Sequence, residues 1–391
     1  MQLDKFHLDN FSVKVYDSLL DKKLAQIWQA NIHELDHLRT EMLVLLEKAQ
    51  PADLHFRYLF IAKSGEEKHN YALVYFQLLN FNHRNFNFSK KGLFQYFAQF
   101  FLRIKSFRVL LAGSLFAVDF TPISSDHLKI TTDQLLSVIN EYSKREKYDI
   151  LVLKDLPERY TKTFMKDHDF DPFETDMTMQ LEINPAWKDF NSYEKALTHK
   201  YAQRVRKIRK QGSSLVRREI SLVEFHSYRT QINKLFRQVS EKQTVRMGIV
   251  DDVYFEELYK TLEKNFKLTG YFISDKLIAF ASHIIYKDKL EVHYIGLDYE
   301  LNKEYSLYFN ILYDGIELAI QYEKKSLELG RTAREAKAVV GCHPIFFNDY
   351  LRVRNRLIRW MLNFLSNYFD KGLGEGWKKR HPFKTIATGI K

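Results

Sequence analysis

The tightest constraint on this chain is an order of elements that it runs through twice. In the first half, "YLFIAK" (58–63) and "YALVYFQLL" (71–79) flank the polar turn "SGEEKHN" and predict a hairpin. "FRVLLAGSLFAVDF" (107–120) reads as the next strand. In "TTDQLLSVINEYSKREK" (131–147), Leu135, Val138, Ile139 and Tyr142 fall at helical spacing. "YDILVLKDL" (148–156) then reads as a buried strand and "ERYTKTFMKDHDF" (158–170) as a short helix. The second half keeps this order. "YFIS" (271–274) and "LIAFASHIIY" (277–286) form a hairpin, "KLEVHYIGLDYE" (289–300) a strand, "EYSLYFNILYDGIELAIQYEKK" (304–325) a helix, and "SLELG" (326–330) a strand before a last short helix. Strands alternating with helices predict an α/β chain of the α+β type, with two tandem domains, each a mixed central sheet flanked by helices. The expected domains are 1–186 and 187–391. The repeat lies in order and pattern, not in residue identity, and duplication followed by divergence is its economical source.

Composition agrees with a packed chain. Hydrophobic residues make up 45% and charged residues 28%, while 7 prolines and 14 glycines argue against long linkers. The single cysteine, Cys342, excludes an intramolecular disulfide framework and a cysteine-rich zinc site. The start, "MQLDKFHLDNF", has no apolar signal core, and the runs "VLLAGSLFAV" (109–118) and "WMLNFL" (360–365) are too short to span a bilayer. A cytoplasmic location is expected, with peripheral contact at the inner membrane face as an extension. The net charge of +11 points to anionic partners: nucleic acid, phosphate-bearing cofactors or an anionic membrane surface.

Four segments lie outside the repeat. "FNSYEKALTHKYAQRVRKIRKQGSS" (190–214) predicts one long helix opening the second domain and ending near Gly212. Its continuation to Arg218 carries Lys200, Arg204, Arg206, Lys207, Arg209, Lys210, Arg217 and Arg218 without an acid, which suits RNA, lipid head groups or a solvated face. "FFNDYLRVRNRLIRWMLNFLSNYF" (346–369) predicts a C-terminal helix, and the tail after it shows no period. "HELDH" (33–37) matches His-Glu-x-x-His. However, Trp28, Ile32, Leu35, Met42 and Leu46 explain that helix, starting near Lys22, as core-facing, and no metal is expected. The basic-aromatic stretch 85–108, with Lys90, Lys91, Arg103, Lys105 and Arg108, reads as core packing with snorkelling cations or as a membrane-surface segment.

Two stretches carry candidate chemistry. On the strand 289–300, Glu291 and His293 share a face. A turn at Lys287–Asp288 sets Ser282 opposite His293 and Ile284 opposite Glu291, leaving Ala279, Ala281, Ile285, Val292 and Tyr294 for the core. In "LELGRTAREAKAVVG" (327–341), Thr332 and Glu335 have capping-box spacing, and Gly341 with Pro344 closes the helix. Arg331, Arg334 and Lys337 then stand near a helix start that favours anions.

"YEKALTHKYAQRVRK", "HYIGLDYELNKEYSLYFNILYDGIELAI" and "LELGRTAREAKAVVG" together resemble the FemAB-like and BioF2-like branch of the GNAT acyltransferase superfamily, best over 187–345. The resemblance implies tandem GNAT-like domains and transfer of an acyl or aminoacyl group to an amine. The expected function is an N-acyltransferase moving an acyl group from acyl-CoA to an amine acceptor such as a lipid or amino-acid derivative. The alternatives are a Fem-type aminoacyl transferase using aminoacyl-tRNA in cell-wall peptide synthesis, and a non-catalytic RNA- or membrane-surface-binding protein. His293 or Glu291 is the candidate general base, with Tyr294 and Asp298 behind them. Lys337 takes the place of a lysine recurrent in the branch and is assigned to substrate or oxyanion. The phosphate loop departs from the pattern: "LDYELNKEYSLYF" has no glycine. Asn302, Lys303 and Ser306, with Arg331 and Thr332, are therefore the expected donor-binding residues. The first copy has "LVLKDLPERYTK" where the second has "LELGRTAREAK", so the chemistry is expected in the second domain.

Overall fold

The computed structural model describes residues 1–32, 39–66, 70–85, 102–156, 170–173, 177–243, 245–347, 349–356 and 378–384, with isolated positions between them. The chain divides into two compact units whose segments interleave. The first comprises Met1–Asp176, Gln243–Glu257 and Phe346–Gly374; the second comprises Met177–Lys242, Leu258–Ile345 and Glu375–Lys391. The His-Glu-x-x-His pattern and most of the 85–101 and 158–170 stretches lie outside the described residues.

The first unit is built on strands β1 (Gln2–Leu8), β2 (Phe11–Tyr16), β3 (Leu54–Lys63), β4 (Ala72–Phe81), β5 (Phe107–Ala112), β6 (Ile123–Ser124), β7 (Ile150–Leu153) and β8 (Asp171–Phe173). The sheet order is β1-β2-β3-β4-β5-β7-β16-β8, with β6 on β4 and β16 (Asp349–Val353) inserted from far along the chain. The hairpin β3/β4 is antiparallel, and β5/β7 is parallel from Val109↔Ile150. The strand expected over 107–120 stops at Ala112, because Gly113 turns at φ +144 and Ser114 Oγ accepts the amides of Phe116 and Ala117. Helices α1 (Lys22–Ala30) and α2 (Thr40–Ala49) replace the single helix expected from Lys22. Helix α3 (Thr132–Arg145) buries Leu135, Val138, Ile139 and Tyr142 as its spacing requires, behind a Thr131–Gln134 capping box. The C-terminal helix expected from 346 is corrected at its start. Asp349–Val353 is a strand, paired to β7 through Tyr350↔Leu153 and to β8 through Tyr350↔Pro172, with Tyr350 and Val353 buried.

The second unit orders β9 (Met177–Glu182), β10 (Val216–Glu219), β11 (Phe266–Ile273), β12 (Lys276–Ile285), β13 (Lys289–Leu297), β14 (Ser326–Glu328) and β15 (His343–Phe346) as β10-β11-β12-β13-β14-β9-β15. Strand β9 thus joins this sheet although it precedes residue 187. The helix expected over 190–214 is two, α4 (Phe190–Ala196) and α5 (His199–Gln211). Leu197 between them is extended and bridges Phe383, while the Thr198 amide donates to Pro382 O at 2.8 Å. A pairing to a distant segment breaks the helix, and nothing local in the sequence announces it. Helix α6 (Leu222–Ser240) opens with a Ser221–Glu224 capping box; α7 (Asp252–Leu262) follows. The helix expected over 304–325 is likewise two, α8 (Tyr299–Tyr305) and α9 (Leu307–Gln321), split at Ser306, which is left-handed at φ +49. The last helix is α10 (Arg334–Val339). Leu290, Val292 and Leu327 pack with Ile311 and Ile316 of α9 in one core, leaving the opposite face of β13 and β14 for other side chains.

Candidate active site

Period two along β13 puts Glu291 and His293 on the face away from the α9 core, and they meet there. His293 Nδ1 lies 2.6 Å from Glu291 Oε1, and both side chains are 4% exposed. The expected pairing of Ile284 with Glu291 is present. The register then shifts between Ala281 and His283 on β12. Ser282 fills the irregularity: its hydroxyl accepts the Tyr294 amide at 2.9 Å and donates to the Tyr294 carbonyl at 3.1 Å. Ser282 therefore closes a bulge instead of joining Glu291 and His293. The bulge also turns Tyr294 out of the core set, with its ring edge-on to Phe236 of α6 at 5.4 Å.

Strand β14 adds a residue that the sequence reading passed over. In the parallel β13/β14 pair, Glu328 is the register partner of Glu291. Glu328 is 2% exposed, and its Oε1 accepts from the Thr178 hydroxyl of β9 and from the Gly330 amide at 2.6 Å. Burial first, then the Glu291 charge, raises its carboxyl above the usual range. Its signal was present in "SLELG": a carboxylate flanked by Leu327 and Leu329, both of which are buried. Such a residue is rarely solvated in an interior strand.

Gly330, at φ +80, turns the chain out of β14. Its carbonyl accepts the Met179 amide and Lys337 Nζ, each at 3.1 Å. Lys337 is 4% exposed, and burial pulls its ammonium down to about 8, against smaller opposing effects of Cys342 and Glu328. Burial also pushes the Cys342 thiol upward. The Thr332–Glu335 capping box does not form. Ala333 precedes the helix at φ +52 with no side-chain cap, Thr332 is exposed, and Glu335 instead pairs with Arg380 at 3.0 Å. The far end closes as expected: the Gly341 amide reaches Ala338 O and the Cys342 amide reaches Lys337 O, a Schellman closure with Gly341 at φ +107. Arg331 is half-buried, and its carbonyl takes Arg334 Nε at 3.3 Å.

The other expected donor-binding residues sit at the α8–α9 junction. Asn302 Oδ1 accepts the Tyr308 amide at 2.9 Å, in the first turn of α9. Ser306 Oγ donates to Gln211 Oε1 at 2.9 Å, Lys303 is exposed, and Asp298 caps α8 through the Glu300 amide. The junction is pinned by buried Asn310, whose amide group donates to the carbonyls of Tyr305, Ser306 and Ile208. The basic run of α5 divides in two. Arg209 and Arg217 bind Asp314, Arg206 binds Glu194 and Arg218 binds Glu224. Lys200, Arg204 and Lys207, at one-turn spacing, have no ion pair among the described residues. They line a groove of about 480 Å³ with Ser306 and Phe309. Lys200 and Arg204 also border a second cavity of about 200 Å³ with Val339 and Arg380. Neither cavity is lined by Glu291, His293, Glu328 or Lys337.

No protein-family model and no curated protein matches the sequence. Solved structures do match in fold. The tandem GNAT protein from the clavulanic acid biosynthesis pathway superposes with a TM-score of 0.52 at 7% identity, covering 88% of this chain and 99% of that one. FemX superposes with a TM-score of 0.51 at 10% identity, covering 92% of this chain and 100% of that one. The chain has the tandem GNAT fold: two mixed sheets flanked by helices. No helix of the described residues is long and apolar enough to cross a membrane.

Proposed function

We propose that the protein is an N-acyltransferase that moves an acyl group from acyl-CoA to an amine, with the chemistry in the second unit and a non-catalytic first unit. The observation that carries this reading is the buried Glu291–His293 pair on β13 of a GNAT fold. Glu291 holds Nδ1, and Nε2 is the nitrogen assigned to take the proton of the amine. The amine nitrogen then bonds to the acyl carbon, the C–S bond breaks, and the thiolate leaves with a proton. Lys337 fixes the Gly330 turn beside that face and supplies positive charge for a developing oxyanion. The acceptor is an amine on a lipid or amino-acid derivative, and an anionic membrane surface is the partner such a lipid would bring.

The groove of Lys200, Arg204 and Lys207 at the start of α9 suits phosphates, with Ser306 in its lining; Asn302 and Lys303 on α8, and Arg331 and Thr332 after Gly330, are the further candidates for the donor. Phosphate is common to CoA and tRNA, so the second reading is a Fem-type aminoacyl transferase in cell-wall peptide synthesis. It is favoured by the length of the cationic face on α5 that has no ion pair among the described residues. Calorimetry with acetyl-CoA, long-chain acyl-CoA and charged tRNA separates the two. The expected result is acyl-CoA binding that the triple change Lys200→Glu, Arg204→Glu, Lys207→Glu weakens at least tenfold, with a flatter salt dependence. Binding of charged tRNA alone selects the second reading. Binding of neither leaves a non-catalytic RNA- or membrane-surface protein.

A further inference from the structure

Two buried carboxyl groups face the same way at paired positions on adjacent strands. Glu291 and Glu328 are register partners in the parallel β13/β14 ladder, 3% and 2% exposed. Neighbouring strands lie about 4.8 Å apart, and two carboxylates so placed in a dry interior do not both ionise without a cation between them. No cationic nitrogen among the described residues lies within ion-pair distance of Glu328. The groups around it are Thr178 from β9, Lys289 and Glu291 from β13, and Gly330, Lys337 and Cys342 from the segment after β14. Lys337 is turned to the Gly330 carbonyl, and Lys289 lies 5.2 Å from the Tyr286 ring. Glu291 has an imidazole against it; among the described residues Glu328 has only neutral donors, the Thr178 hydroxyl and the Gly330 amide. Both converge on Oε1, as on the carbonyl oxygen of a carboxylic acid, and Oε2 is left to bear the hydrogen.

We propose that Glu328 is a positioning residue that keeps its proton in the resting protein, so that Glu291 alone carries the charge that holds His293. Glu328 also clamps the Gly330 peptide through its amide, while Lys337 holds the same residue through its carbonyl. One neutral acid therefore links the base pair on β13 to the turn that carries Lys337. This rests on the acyl-transfer reading for its catalytic meaning but not for its test.

Infrared difference spectroscopy of the full chain at pH 7 reads the proton directly. The expected result is a protonated-carboxyl stretch that Glu328→Gln removes. Gln keeps the oxygen that accepts from Thr178 and Gly330, so Glu328→Gln should retain the fold. If Glu328→Gln does not fold, Thr178→Val takes its place: losing one donor to the carbonyl oxygen should raise the stretch frequency without abolishing the band. Absence of the band in both wild type and Thr178→Val overturns the proposal. So does a band that persists unchanged in a folded Glu328→Gln, since the proton then sits on another carboxyl group. If no donor is consumed by wild type, the acyl-transfer reading fails while the spectroscopic answer stands.

Discussion

Lys337 looks like a solvated lysine in an alanine-rich helix, yet its amine is buried against Gly330 O. The folded value near 8 lies below the ordinary 10.5. Between these values the unfolded chain binds more protons, so this residue's contribution to stability rises with pH. The stability of wild type minus that of Lys337→Met should climb by up to about 3 kcal/mol from pH 8 to pH 10.5, by urea denaturation at each pH. A flat or falling difference would show an amine in contact with water. Some residue-level facts were legible in advance. Glu291 and His293 were, because strand alternation is a local rule and both fall in an unbroken apolar strand. Tyr294 was not, since the bulge closed by Ser282 depends on how β12 and β13 register. Thr332 misled because capping spacing says nothing of the left-handed Ala333 that follows Gly330.

At the scale of elements, the two hairpins and the strands 289–300 and 326–330 were located, whereas the 107–120 strand and the long helices were overread. The 190–214 and 304–325 segments each keep helical period across a break. The first break comes from outside the segment, by Phe383 pairing at Leu197; the second comes from within it, where Asn310 holds the turn at Ser306. Helix α10 depends on the same distant segment at its other end. A Cβ on Gly341 would stand 2.5 Å from the Phe383 ring, at a φ that L-residues avoid. Gly341→Ala should therefore cost about 2–4 kcal/mol and lower the melting temperature. A loss below about 0.5 kcal/mol in urea denaturation would mean that Phe383 does not pack there.

At the scale of the molecule, the repeated order was visible because each hairpin and helix carries its own period. The interleaving of units was not. Strand β16 joins the first sheet from position 349, and β9 joins the second from position 177; both pairings span more than a hundred residues. The two units also differ where the account places the chemistry. At the end of β7, Lys154 pairs with buried Asp155 at 2.5 Å, and β5 carries no acid or histidine. The measurement that reaches the central claim is acyl transfer to amines, followed by mass spectrometry, with wild type, His293→Ala and Lys154→Ala, each checked by its melting curve. The account predicts transfer by wild type, a fall of about 10²–10³ in His293→Ala with the fold retained, and turnover within about threefold of wild type in Lys154→Ala. Wild-type turnover in His293→Ala, or a comparable fall in Lys154→Ala without unfolding, would contradict it.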